Sequence, residues 1–403
     1  MSINLLHTPE GVRDIYNDEC SKKLYLQETM YKTIKSYGFS DIQTPTFEFF
    51  EIYSKDKGSV ESKNLYKFFD REGNTLVLRP DITPAIARAV SKYYMHNDMP
   101  LRFCYTGNTY INNAEHQGKL KEIIQIGGEL IGDSTSDCDA EAIAIVIHSL
   151  QACGLEEFQV ELGHSDFLKG IAMEAELDED SFEQLKVLLE KKNFFGVEEL
   201  ITNKCQKENV LEFVNNLTDF NGSLEVINKA RNLFKNELIC NALDRMEKIY
   251  NILSYYDFEK YISFDLSFTS SYNYYTGIVF KGYTYGTGEA IVTGGRYDKL
   301  FSQYGKDMAA IGFATNIDLL LMAMNRQQLA INCNTEKHLY IYENDVKKEA
   351  ITIAGQMRSK GISVALIRKS SKKSNEEYIE YAKTNGFTKL SYIDSIGNVN
   401  ELF

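Results

Sequence analysis

From about residue 166 to residue 260 the chain is rich in Leu, Glu, Lys and Asn at helical spacing and gives almost no strand signal, while strand patterns occupy both flanks. This interruption constrains the fold more than any other feature, because strands on either side of a helical block must find partners far away in sequence. Before it, residues 21–37 carry apolar positions at helical spacing and stop at Gly38, and 39–47 reads as extended, with Pro45 excluding a helix interior. Residues 75–78 alternate into a strand ending at Arg79-Pro80, and Pro84 suits the first turn of a helix over 85–94. Residues 102–110 and 122–131 read as a strand pair joined by the polar loop 112–121, followed by an amphipathic helix at 139–153 and a strand at 158–163.

After the block, strand patterns return at 262–268, 277–285 and 289–292, and 309–322 reads as a strand and a helix. Hairpin-like connections on both flanks predict an α+β chain: an antiparallel sheet flanked by helices, with the helical block as an insertion. A polar linker at 325–336 precedes strand, helix, strand, helix, strand at 338–342, 346–360, 362–367, 375–385 and 387–393, which predicts a small α/β domain on a parallel sheet. The expected domains are therefore 1–325, with its insertion at about 166–260, and 334–403.

With 403 residues and 43% hydrophobic content, core size is not limiting. No run reaches the ~18 apolar residues of a membrane span, and the start lacks a basic-then-apolar leader, so a cytoplasmic chain with no membrane partner is expected. Seven scattered cysteines and six histidines form no ligand-like spacing, and no metal or cofactor is expected. The acidic run 174–180 reads as a solvated face, and the Tyr283 to Gly288 segment as a hairpin turn, with contact to a ligand as the alternative. The net charge of −13 disfavours a polyanionic partner. Between Arg102 and Arg231 there is no arginine, the usual residue for bidentate phosphate contacts.

Five segments in order resemble those of histidyl-tRNA synthetases, a class II aminoacyl-tRNA synthetase family. Gly38-Phe39 with Ile42-Gln43-Thr44-Pro45 and Phe47-Glu48 resembles the first class motif, which forms the dimer interface in that family. Leu78-Arg79-Pro80-Asp81-Ile82-Thr83 is similar to the segment that holds the amino group of histidine. Gly107, Gly118 and Gln125-Ile126-Gly127-Gly128-Glu129 occupy the frame of the second motif. Asn273-Tyr274-Tyr275-Thr276-Gly277 and Gly294-Gly295-Arg296-Tyr297-Asp298 resemble two histidyl-specific signatures. The likeness spans nearly the whole chain, and the C-terminal domain is similar to a reduced anticodon-binding domain.

The resemblance also exposes losses. Adenylation needs cations on the phosphates of ATP. The family's second-motif arginine falls at Ile111 and its companion glutamate at Asn113, the histidyl-specific arginine near Ser270, and the third-motif arginine at Leu319. Losing one such donor commonly costs ~2.7 to 4 kcal/mol, so synthetase activity is expected to be lost. The amino-acid side is kept: by resemblance Asp81, Thr83 and Gln125 receive the α-ammonium of histidine, Glu129 and Tyr274 meet the imidazole nitrogens, and Tyr275 lines the pocket. An ammonium out of water needs a carboxylate and neutral acceptors, and imidazole N–H groups suit a carboxylate and a phenol.

A pocket without phosphate chemistry fits a sensor, and the family with that pattern comprises the regulatory subunits of ATP phosphoribosyltransferase. The resemblance implies a non-catalytic chain that completes a short-form catalytic subunit at the first step of histidine biosynthesis, as a homodimer within a hetero-octamer, with histidine as feedback ligand. A divergent synthetase and a tRNA-binding paralogue are the alternatives. Residues 334–403 carry 11 Lys and Arg against 9 Asp and Glu, too even a balance to favour tRNA.

Overall fold

A computed structural model describes residues 6–53, 60–94, 96, 99–113, 119–268, 274–333 and 336–403. Its contacts divide the chain into two compact units, one holding the residues up to Asp14 and Leu26–Ala330, the other Ile15–Tyr25 with Ile331–Phe403. Grouping Ile15–Tyr25 with the C-terminal residues is a division that position along the chain does not express.

The first half of the chain runs α1 (Asn17–Ser36), β1 (Ser40–Asp41), β2 (Phe47–Phe49), β3 (Lys67–Phe69), β4 (Thr75–Leu78), α2 (Thr83–Tyr93), β5 (Leu101–Tyr110), β6 (Glu122–Ile131), α3 (Ser136–Ala152) and β7 (Phe158–His164). The helical block follows as α4 (Ser165–Glu174), α5 (Glu179–Glu190), α6 (Phe194–Thr202), α7 (Glu208–Asn215), the two-residue β8 (Asn221–Gly222), α8 (Glu225–Leu233) and α9 (Glu237–Ser254). Then come β9 (Ile262–Asp265), β10 (Ile278–Thr284), β11 (Val292–Arg296), β12 (Ala310–Asn316) and α10 (Ile317–Arg326). The second unit adds β13 (Lys337–Tyr342), α11 (Lys347–Ser359), β14 (Ser363–Arg368), α12 (Asn375–Thr384), β15 (Lys389–Ile393) and β16 (Val399–Glu401).

Nine strands form one sheet in the order β1-β5-β6-β12-β11-β10-β7-β9-β8. Neighbours are antiparallel except β1 with β5 and β7 with β9, so the antiparallel sheet flanked by helices is present. The helical block is not wholly separate from it, because β8 pairs with β9 at the sheet edge. A two-residue strand has no periodicity to read in sequence. Helix α3, whose apolar residues Ile143 to Ile147 are fully buried, packs on β6, β11 and β12, while α9 packs on α3, α4, β7 and β10. Ile82, just before α2, and Ile86 and Val90 on it pack against Phe103, Ile131, Tyr297 and Phe301, and this cluster floors the site.

Two expectations need correction. The strand expected at 289–292 is β11, which begins where that range ends and continues through Gly294 and Gly295. Glycine weakens a strand in isolation, but a side chain at Gly294 would overlap the Phe280 ring and one at Gly295 the Tyr275 ring. In the second unit β13 is parallel to β14 and β15 as expected, but β16 closes the sheet antiparallel to β15. A separate sheet, β2-β4-β3, was legible only in its middle strand.

Candidate functional site

Residues from three places converge on one face of the sheet. Arg79 fixes the first: its guanidinium donates to the carbonyls of Thr44 (2.8 Å) and Asn108 (2.8 Å). Gly107 supplies the space for it, since a side chain there would meet the guanidinium. The next turn is held by Tyr53, whose hydroxyl donates to the Asp81 carbonyl at 2.8 Å. This presents the Asp81 carboxylate, which accepts from the Thr83 N–H at 3.2 Å and from the Tyr274 hydroxyl at 2.9 Å.

Strand β6 brings Gln125 and Glu129 to the same face. Glu129 is fully buried. One carboxyl oxygen accepts from the Thr83 hydroxyl at 2.7 Å, and the other is engaged by the Tyr297 hydroxyl in a short hydrogen bond. Its neighbour in register is Gly312, where any side chain would occupy the space of the carboxyl group. Burial pushes Glu129 up to about 8; the hydrogen bonds from Tyr297 and Thr83 work against that, and the charge of Asp81 adds to it. At neutral pH this carboxyl group therefore keeps its proton.

Asp81, Thr83, Gln125, Tyr274 and Tyr275 line a common cavity with Thr293, Tyr297, Gly312, Phe313 and Ala314. Glu129 stands behind it, holding Thr83 and Tyr297. The cavity measures ≈ 20 Å³, room for about one water. The rings of Tyr274 and Tyr275 meet edge to face at 5.0 Å, and Tyr274 meets Tyr297 at 5.8 Å, so three tyrosines close this space. The side-chain oxygen of Gln125 is buried and accepts no hydrogen bond from the described residues. Leaving such an acceptor unmet costs about 1 to 3 kcal/mol, which a ligand donor would recover.

The described residues lining the cavity include no lysine or arginine. Ile111 lies just past the end of β5, its N–H donating to the Lys121 carbonyl (2.9 Å), and Asn113 stands two residues further on. Leu319 lies in the first turn of α10, its N–H capped by the Asn316 side chain at 3.1 Å. Ser270 lies outside the described residues. Counting arginines alone overlooks Lys119 in the 112–121 loop; its ammonium pairs with Glu289 at 2.9 Å.

Sequence reading gave Tyr297 no role, and its place in the 294–298 signature was the only hint. It missed the partner of Arg296 as well. The Arg296 guanidinium donates to Asp139 (2.6 and 2.8 Å), Asp298 (3.1 Å) and the Asp133 carbonyl (3.0 Å). Asp139, fully buried on α3, also takes Arg245 of α9 at 2.7 Å. The Arg296 carbonyl accepts from the Thr276 N–H at 2.7 Å, which joins this charge cluster to the Tyr274–Tyr275 segment.

Other groups have bland settings. The Cys138 and Cys153 thiols are pushed up to about 12 by burial and are inert. No cluster of three potential metal ligands occurs among the described residues, and no helix among them is long and apolar enough to cross a membrane.

The family described as histidyl-tRNA synthetase matches residues 11–320. The ATP phosphoribosyltransferase regulatory subunit of Acetivibrio thermocellus is 37% identical over 359 residues, covering 89% of this chain and 86% of its own length. A crystal structure titled as an ATP phosphoribosyltransferase regulatory subunit/histidyl-tRNA synthetase from Bacillus halodurans C superposes with a TM-score of 0.86 at 32% identity, covering 97% of this chain and 98% of that one. Histidyl-tRNA synthetase from Nostoc sp. PCC 7120 shares the fold, with a TM-score of 0.82 at 17% identity over 99% of this chain and 97% of that one. The chain thus belongs to the family of ATP phosphoribosyltransferase regulatory subunits, built on the histidyl-tRNA synthetase fold.

Proposed function

We propose that this chain is the non-catalytic regulatory subunit of a short-form ATP phosphoribosyltransferase, that it binds free histidine at the Asp81–Gln125 cavity, and that histidine there favours an inhibited arrangement of the complex. The observation that carries the site is the pairing of the Asp81 carboxylate with the buried, unmet acceptor of Gln125 in one cavity. These are the groups an α-ammonium requires. In the closed cavity the Tyr274 hydroxyl donates to Asp81. Histidine entry therefore needs Tyr274 to swing away, which releases the carboxylate for the ammonium and the phenol for the ring. Glu129 meets the other ring nitrogen once Tyr297 or Thr83 turns aside, and Tyr275 lines the ring.

The absence of lysine and arginine among the described lining residues supports loss of adenylation. Self-association is supported by an exposed aromatic face on the β2-β4-β3 sheet: Phe47 and Phe49 are each 52% exposed, and Phe47 meets Phe68 edge to face at 5.8 Å. The net charge of −13 argues against tRNA as a partner. We place the chain in the cytoplasm, as a homodimer within a hetero-octamer.

Isothermal titration of histidine into the isolated chain and into its complex with the catalytic subunit tests the sensor; no heat from either removes it. Coupling between sites is reciprocal and typically ~1 to 3 kcal/mol, so substrates of the catalytic subunit should alter histidine affinity in the complex. Histidine-dependent ATP–pyrophosphate exchange by the pure chain would refute the non-catalytic reading.

A further inference from the structure

A cleft of ≈ 940 Å³ in the first unit lies away from the amino-acid cavity, between the α3–β7 turn, the residues just before β9 and the end of β10. Its floor is aromatic. Phe158 and Tyr261 stack with centroids 4.4 Å apart and planes 5° from parallel, and the array continues from Tyr261 to Phe258 (6.3 Å) and from Phe258 to Tyr256 (5.8 Å). Tyr285 rises from the rim, 73% exposed.

The rim is braced. The Gln327 side chain donates to the Tyr285 carbonyl (2.8 Å) and the Thr284 hydroxyl (2.9 Å), and Arg326 donates to the Gly286 carbonyl. The Thr284 hydroxyl in turn donates to the Glu157 carbonyl at 2.6 Å, tying the hairpin to the opposite wall, and Gln151 holds the Tyr261 hydroxyl at 2.9 Å. An exposed aromatic side chain on a backbone fixed in this way loses little freedom when it is covered, which is the property of an interface anchor.

The charged side chains lining the cleft are Glu156, Glu157 and Lys260. The Tyr261 ring is already taken by Phe158 and by the lysine ammonium, which lies over it at 4.8 Å, so the phenols left to a partner are Tyr283 and Tyr285, beside two carboxylates and one ammonium. That combination selects a guanidinium, which stacks on a phenol face while its N–H groups meet a carboxylate. We propose that this cleft receives a protruding, arginine-bearing segment of the catalytic partner subunit, and the proposal rests on the regulatory-subunit reading. The cleft shares no lining residue with the cavity at Asp81, so partner docking and histidine binding can be perturbed separately.

The test uses the full chain and the purified catalytic subunit, with complex formation followed by native mass spectrometry and surface plasmon resonance. Tyr285→Ala and the double change E156K/E157K should each weaken association at least tenfold, while the oligomeric state of the chain alone and its heat of histidine binding stay at wild-type values. Wild-type affinity for the partner in both variants overturns the proposal. So does a changed number of copies in the assembly formed by the chain alone, which would make the cleft a contact between copies of this chain. If the wild-type chain forms no complex at all, the regulatory-subunit reading itself falls and the docking site falls with it.

Discussion

Glu129→Gln tests the electrostatics of the site without changing its shape. The amide can still accept from one of Thr83 and Tyr297 and donate to the other, but it carries no titrating proton. In the wild type, burial raises the carboxyl to about 8 from an ordinary 4.5. The folded state thus holds its proton to higher pH than the unfolded state does. The group's contribution to stability is complete below about pH 4.5 and falls as pH rises through 8. That displacement corresponds to roughly 5 kcal/mol across the window. Because Glu129 is fully buried, solvent screening takes little from this figure. Urea unfolding of wild type and variant, followed by circular dichroism between pH 5 and 8, isolates the effect, since all other titrating groups are common to both proteins. The variant should gain several kcal/mol relative to wild type as pH rises from 5 to 8. Parallel stability curves would refute a neutral, buried Glu129.

Other perturbations follow from the same geometry. Asp81→Asn removes the one carboxylate facing the proposed ammonium and should weaken histidine binding tenfold or more by calorimetry, because a hydrogen bond to a charged group contributes about 1.5 to 3 kcal/mol; unchanged affinity would place the ligand elsewhere. Arg296→Met leaves the buried Asp139 with Arg245 alone and should cost about 3 to 5 kcal/mol, read as a large fall in melting temperature. Gly312→Ala drives a methyl group into the Glu129 carboxyl and should cost about 1 to 3 kcal/mol while lowering histidine affinity; wild-type melting would refute the close approach. His164 caps α4 by accepting from the Asp166 N–H at 3.2 Å, and burial holds it down at about 4. Its contribution should be lost on acidification from pH 6.5 towards 4, and His164→Asn should flatten that limb of the stability curve.

The strands β5, β6 and β7 and the alternation of the second unit were legible because each element carries a full period of apolar residues. Elements that depend on a partner were not. β8 has two residues, β16 has three and all of them are exposed, and Gly294-Gly295 becomes a strand because Phe280 and Tyr275 need the space above it. At the site, the family likeness picked out Asp81, Thr83, Gln125, Tyr274 and Tyr275, which line the cavity, but it matched them to ligand atoms and carried nothing about their bonds to one another. Tyr274 bonds to Asp81, and the partner of Glu129 is Tyr297, which sits in the quoted signature without a role. Such pairings depend on strand register and rotamer, and neither is written in the spacing of a motif.

Asp139 lies before the helical block in sequence, Arg245 inside it and Arg296 after it, and the three side chains meet as one buried cluster. Excising residues 166–260 would thus strip a desolvated anion of half its counter-charge. The block is welded into the body by salt linkage, and a shortened chain lacking it should fail to fold; neutralising position 139 would not rescue it, because Arg296 would then be the buried charge short of a partner.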